Sequence, residues 1–292
     1  MVLQALEKRC GMIGLFDSGH GGLTIFRALV RRFPHVRFVY MGDHANAPYG
    51  NRSADEILAL TQDGVEQLFG RGCRLVILAC NTATAVACRT LQQEWLPASG
   101  YSNNNILGVV APMVEAATQT PWAASEPQYP QKYNSDMVAV FGTRRTIASG
   151  VFAEEIRKRC PRVAVIQQPC ADLAGAIEAG RPGAELNAMV KSYVGALLEQ
   201  GEGMAPHQVI LGCTHYPLIE DLFVQHLPGS ARLLSQPEVV ADSLEDYLVR
   251  HPEFALQVLP HDTPILLTTG NPEEVSTSLK LFWPEAHAFE TV

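Results

Sequence analysis

The chain has 292 residues, 47% of them apolar, with 22 basic against 30 acidic side chains and a formal charge of −8. That is enough apolar chain to bury the cores of two α/β domains, and the acidic balance disfavours a nucleic-acid or anionic-membrane surface, so an anionic ligand would need local backbone and hydroxyl donors. No run of eighteen uncharged apolar residues occurs, and Glu7, Lys8 and Arg9 stand where a secretory leader needs an apolar stretch, so the expected location is cytoplasmic.

Met12 to Phe16 is a short apolar run that ends in Asp17-Ser18-Gly19-His20-Gly21-Gly22, a turn whose glycine spacing is not that of the dinucleotide fingerprint. Leu23 to Phe33 then has helical apolar spacing. Val36 to Met41 reads as a second strand, followed by a loop holding Asp43 and Pro48-Tyr49-Gly50. Ser53 to Phe69 is helical, with Ser53 three residues before Glu56 as in a capping box. Leu75 to Ala79 is a strand leading into Cys80-Asn81-Thr82 and a helix over Thr82 to Trp95. Ser99 to Asn105 is a polar connection to the strand Ile106 to Val110. Thr118 to Asp136, with Pro121, Pro127 and Pro130, reads as a long irregular insertion. Strands follow at Met137 to Phe141, Val163 to Ile166, Val209 to Leu211 and Ile265 to Leu267, with helices at Ala184 to Glu199 and Pro217 to His226.

This alternation of buried apolar runs and amphipathic stretches predicts parallel sheets with helical crossovers. A weak repeat divides them: Val76-Ile77-Leu78-Ala79-Cys80-Asn81-Thr82 is echoed by Val209-Ile210-Leu211-Gly212-Cys213-Thr214-His215. The turn after Phe16 is matched by Phe141-Gly142-Thr143. The expected fold is therefore two similar doubly wound α/β domains. The first takes residues 1–106 plus approximately 242–292, and the second takes residues 107–241. Ligands bind beyond the carboxyl ends of such strands, so facing domains would set the two thiols across one cleft.

A cysteine that ends a buried strand is more often a small core residue than a reactive one. Cys80 and Cys213, however, both stand where a strand turns into a helix, beside N–H groups that favour an anion, and a free thiol needs such help to act as a base. Asp17 and His215 are the ionisable groups in the same layer and could tune one thiol each, although Asp17 also suits a turn and His215 a satisfied core position. Ser18, Asn81, Thr82, Thr143, Thr146 and Thr214 supply the neutral donors that a doubly carboxylated substrate would need. The seven cysteines are odd in number and scattered, which favours free thiols over a disulfide framework. No zinc-type spacing recurs, so no metal is expected. A cysteine hydrolase would use one thiol with His215; two equivalent thiols instead suit stereoinversion, where one base removes a proton and the other delivers one to the opposite face.

Together, Asp17-Ser18-Gly19, Gly21-Gly22-Leu23, Gly42-Asp43, Pro48-Tyr49-Gly50, Cys80-Asn81-Thr82-Ala83, Gly142-Thr143 and Gly212-Cys213-Thr214-His215-Tyr216-Pro217 resemble the glutamate racemases of the aspartate/glutamate racemase superfamily. The resemblance implies two domains related by pseudo-twofold symmetry, with the active site between them and no pyridoxal phosphate or other cofactor. It implies that Cys80 and Cys213 are the acid/base thiols, with Asp17 assisting Cys80 and His215 assisting Cys213. Ser18, Tyr49, Gly50, Asn81, Thr82, Thr214 and His215 would line the substrate, and Asp43 and Glu178 match acidic positions near the cleft. The implied reaction interconverts L- and D-glutamate and supplies D-glutamate for peptidoglycan, with a homodimer and a cell-wall precursor as candidate activator. The alternatives are an aspartate or broad-specificity amino-acid racemase and, from another class, a partner-binding regulator such as a DNA gyrase inhibitor. Three features depart from the pattern: His20, where a small or aliphatic residue is expected, the basic pair Arg144-Arg145, and the length of the Thr118 to Asp136 loop.

Overall fold

A computed structural model describes residues 12–124, 126–130, 136–202, 204–254 and 263–292. Cys10, counted above, lies outside the described residues. The strands are β1 (Met12–Asp17), β2 (Phe38–Gly42), β3 (Cys73–Leu78) and β4 (Asn105–Gly108), then β5 (Met137–Gly142), β6 (Ala164–Pro169), β7 (Gln208–Gly212) and β8 (Arg232–Leu234), and finally β9 (Ile265–Thr268) and β10 (Glu290–Thr291). They form two sheets, one of six strands in the order β10-β9-β2-β1-β3-β4 and one of four in the order β6-β5-β7-β8. Every pairing within them is parallel. The run β2-β1-β3-β4 has the same connectivity as β6-β5-β7-β8, so the repeat seen at the two cysteines extends to a whole topological unit.

The helices used below are α1 (Leu23–Arg32), α2 (Ala54–Gly70), α3 (Asn81–Thr90), α4 (Val110–Thr118), α5 (Arg144–Ala148), α6 (Val151–Arg159), α7 (Leu173–Glu178), α8 (Gly183–Gln200), α9 (Glu220–His226), α10 (Gln236–Arg250) and α11 (Pro272–Phe282). The six-stranded sheet is covered on both faces, which is why its strands are almost unbroken apolar runs. Alternate residues divide between the faces: Ile13, Leu15, Tyr40 and Ile77 pack with α1, α10 and α11, and Phe16, Val39, Met41 and Val76 pack with α2 and α3. Gly64 lets α2 sit directly on the sheet, since a Cβ there would lie 2.1 Å from the Phe16 ring. The second sheet is buried between Phe141, Leu173, Val190 and Leu211 on one face and Val140, Met113, Phe152 and Ile210 on the other.

Several boundaries differ from the sequence reading for local reasons. The helix expected over Thr82 to Trp95 is α-helical only to Thr90; Leu91–Trp95 forms a π turn before Pro97. The segment after Cys213 begins as a 3-10 turn, Tyr216–Ile219, with Pro217 at its start, and α9 itself starts only at Glu220. Beyond Thr118, the described part of the Thr118 to Asp136 segment holds neither helix nor strand. It is tethered by Trp122, whose ring lies 4.3 Å from the Arg159 guanidinium. Among the described residues no helix is long and apolar enough to cross a membrane.

Candidate active site

Cys80 follows β3 and is the N-cap of α3: its Sγ accepts the Ala83 N–H at 3.5 Å and lies 3.5 Å from Ser18 Oγ. Both contacts favour a thiolate, but burial outweighs them, and with the nearby Asp17 carboxylate it pushes the thiol up to about 12. Cys80 therefore holds its proton at neutral pH. Asp17 ends β1 beside it, with Oδ1 accepting the Gly19 N–H at 2.9 Å and Oδ2 accepting from Thr214 Oγ1 at 3.4 Å. Burial raises the Asp17 carboxyl, opposed by His215 and by the Gly19 and Gly22 N–H groups.

Cys213 stands at the equivalent end of β7. Its Sγ is 3.8 Å from Nδ1 of His215, whose Nε2 is 3.3 Å from Oε2 of Glu178 at the end of α7. Burial alone would lower His215, yet the bonds to Cys213 and Glu178 dominate and push it up to about 10. The two thiols thus sit in unlike surroundings: Cys80 is capped by neutral donors near a carboxylate, and Cys213 faces an imidazolium. Each is 5% exposed.

The contacts that join the two halves are short. Thr82 from α3 meets Thr143, the N-cap of α5, and Thr146 within it, each at 3.1 Å, and those two are 3.0 Å apart, closing a ring of hydroxyls. Thr24 donates to the Thr214 carbonyl at 2.9 Å. Gly21 permits the approach of the β7 segment, since a Cβ there would lie 2.3 Å from Thr214 Oγ1 and 2.5 Å from His215 Nδ1. Gly50 faces Thr143 at ordinary contact distance, its Cβ position 3.4 Å from the threonine Cβ.

The sequence profile described as Asp/Glu/Hydantoin racemase matches residues 20–241, most of the chain and both cysteine segments. The chain belongs to that racemase family. It is 47% identical over 286 residues to a glutamate racemase from Phenylobacterium zucineum (strain HLK1), covering 95% of this chain and 99% of the relative. Among solved structures, the glutamate racemase isoform RacE1 of Bacillus anthracis superposes with a TM-score of 0.80 at 26% identity, covering 97% of each chain. Glutamate racemase from Francisella tularensis subsp. tularensis SCHU S4, determined in complex with D-glutamate, gives a TM-score of 0.79 at 25% identity over 96% of this chain and 95% of its own.

In this racemase, the remaining candidates play unequal geometric parts. Asn81 does not present a free amide: it exchanges two hydrogen bonds with Gln236 of α10, at 2.8 and 3.0 Å. Asp43 is also occupied, accepting from Tyr49 OH at 2.6 Å, Thr269 Oγ1 at 2.7 Å and Asn46 at 3.0 Å, so it fixes the Tyr49 loop. A cleft of about 360 Å³ is walled by Pro48, Gly50 and Asn51 from the first half and by Thr143, Arg144 and Asp172 among others from the second. It includes Gly50 and Thr143 but neither sulfur, so the thiols lie outside the open part of the interdomain groove. Among the described residues no cluster of three or more His, Cys, Asp or Glu side chains is arranged to hold a metal. Gln236 and Thr269 act on Asn81 and Asp43 from 155 and 226 residues away and leave no local signal in the sequence.

Proposed function

We propose that this racemase interconverts L- and D-glutamate with no cofactor, Cys80 and Cys213 acting as opposed acid and base. The observation that carries the reading is the pair of buried thiols, one at the same strand end of each matching sheet, with a protonated Cys80 and a Cys213 beside the His215 imidazolium. Starting from L-glutamate, the Cys213 thiolate takes the Cα proton. The electron pair left on Cα spreads into the adjacent carboxylate. The Cys80 thiol then gives its proton to the opposite face, leaving Cys213 as thiol and Cys80 as thiolate, the arrangement the reverse reaction starts from. Asp17 would hold the substrate ammonium, and Ser18, Thr82, Thr143, Thr146 and Thr214 would hold the carboxylates, with the backbone of Tyr49 and Gly50 closing the site.

The same reading puts the protein in the cytoplasm as a homodimer supplying D-glutamate to peptidoglycan, with a cell-wall precursor as activator and with domains of residues 1–106 plus approximately 242–292 and 107–241. Its support is the near full-length identity to a protein named glutamate racemase. The test is circular dichroism of L-glutamate with enzyme that has been dialysed against chelator and treated with hydroxylamine to strip pyridoxal phosphate. Decay of the ellipticity to zero is expected. Activity that returns only with added metal or cofactor refutes the mechanism, and faster turnover of aspartate than of glutamate moves the assignment to an aspartate racemase.

A further inference from the structure

We propose that His20 is a positioning residue for this reaction: it clamps the Glu178 carboxylate that backs His215, and so fixes the ionic state and orientation of the Cys213 half of the site. The inference rests on the racemase reading above. His20 is 4% exposed and lies in the turn after β1, yet its Nδ1 is 2.8 Å from Glu178 Oε1 on α7, across the domain boundary. Its Nε2 is 2.9 Å from the Val275 carbonyl of α11. Both ring nitrogens face oxygen acceptors. A carbonyl can only accept, so Nε2 carries a proton, and a bond from Nδ1 to an ionised carboxylate requires a second one. The geometry is therefore that of an imidazolium donating one N–H to the Glu178 carboxylate and the other to the Val275 carbonyl.

The ring is held in place. Phe282 stacks on it at 5.2 Å and also meets the His215 ring edge-on at 5.6 Å, and Phe289 closes a third side at 5.8 Å. The titratable groups facing His20 are Glu178 and His44, the latter with its ring centre 4.3 Å away. His44 is pushed down to about 4 by burial and by His20, so it brings no charge at neutral pH. The result is a continuous line from Cys213 Sγ through His215, Glu178 and His20 to α11. With one Glu178 oxygen tied to His20, only the other is left for His215. The carboxyl is held below the usual carboxylate range: burial would raise it, and the His20 and His215 bonds outweigh burial.

The test compares His20→Leu and His20→Asn in the full chain, with and without Glu178→Gln, reading kcat/KM for glutamate against pH. His20→Leu should lose about tenfold or more, and the acid limb of its profile should move to higher pH, because Glu178 loses the donor that keeps it ionised. His20→Asn, which returns an uncharged N–H near the Nδ1 position, should recover part of the loss. In the Glu178→Gln background, adding His20→Leu should cost less than about twofold. A parent-like acid limb in His20→Leu, or a loss repeated in full in the Glu178→Gln background, overturns the proposal. Should the leucine variant fail to fold, 15N spectra of the intact protein decide: protons on both His20 nitrogens are expected, and a bare Nδ1 overturns it. A parent enzyme inactive on glutamate would defeat the racemase reading instead, so the two failures are distinguishable.

Discussion

Thr82, Thr143 and Thr146 close a ring of three hydroxyl contacts, and three hydroxyls have only three protons to donate, so a substrate carboxylate can claim donors only by opening the ring. Thr82→Val should therefore lower kcat/KM by about tenfold to a hundredfold, the cost of one hydrogen bond to a charged group; steady-state assays in both directions check this, and parent-like rates would reduce Thr82 to an interdomain contact. Cys80→Ser separates chemistry from folding, because serine is a better N-cap than cysteine for α3 while its hydroxyl is a far weaker acid. Racemisation should collapse in both directions with little change in Tm. In heavy water the parent should give D-glutamate carrying deuterium at Cα, while L-glutamate recovered early stays largely unlabelled; extensive labelling of recovered L-glutamate would defeat the opposed-thiol assignment. His215 also makes stability depend on pH. Its folded value of about 10 stands above the ordinary 6.5, so its contribution is complete below pH 6.5 and is lost as pH rises through about 10. Denaturant titrations at pH 6, 8 and 10 should show the parent losing stability relative to His215→Asn across that window. These residues were legible in the sequence because a strand-Cys-Thr pattern is local and occurs twice. The His20–Glu178 contact was not: Glu178 stands out as an acidic position near the cleft and His20 as a departure from the pattern, but 158 residues separate them and no local pattern joins the two.

At the level of elements, the capping box that opens α2 is complete, with Ser53 Oγ accepting the Glu56 N–H and the Glu56 carboxylate accepting the Ser53 N–H. Ser53→Ala should cost about 1 kcal/mol of stability and leave turnover unchanged, a useful contrast for variants nearer the thiols. Gly21→Ala is the opposite case. An added methyl would press on Thr214 and His215, so it should destabilise by about 1–3 kcal/mol and also depress kcat/KM by moving the Cys213 segment. Calorimetry beside kinetics separates the two effects; a variant that loses stability but keeps full kcat/KM would show that the segment tolerates the shift. The buried strands were readable because parallel sheets covered on both faces are written as apolar runs. Helix α10 is poorly marked in the sequence despite its Val240, Leu244 and Tyr247 spacing, since it begins at Gln236-Pro237 with no side-chain cap and follows the three-residue strand β8. The π turn after Thr90 was illegible for a different reason: Gln92 within it bonds to the Ile106 carbonyl, a tertiary contact that no local pattern announces.

At the scale of the whole molecule, Cys80 and Cys213 are buried where the two sheets' strand ends meet, so their alkylation by iodoacetamide should be slow and should quicken when the hydroxyl ring is weakened, as in Thr146→Val. Glutamate should protect. Rates of inactivation followed by mass spectrometry would settle it, and an unprotected, fast-reacting parent would mean that the site is open in solution. The chain order of the two sheets has a further consequence. The four-stranded sheet is drawn from one continuous stretch, β5 to β8, whereas the six-stranded sheet receives β9 and β10 only from residues 265–291. During synthesis the second sheet therefore has all its strands in hand before the first does. Val275 and Phe282, which seat His20, emerge at the same late point. A nascent chain that already holds both cysteines therefore still lacks the two outermost strands of the first sheet and the helix that seats His20.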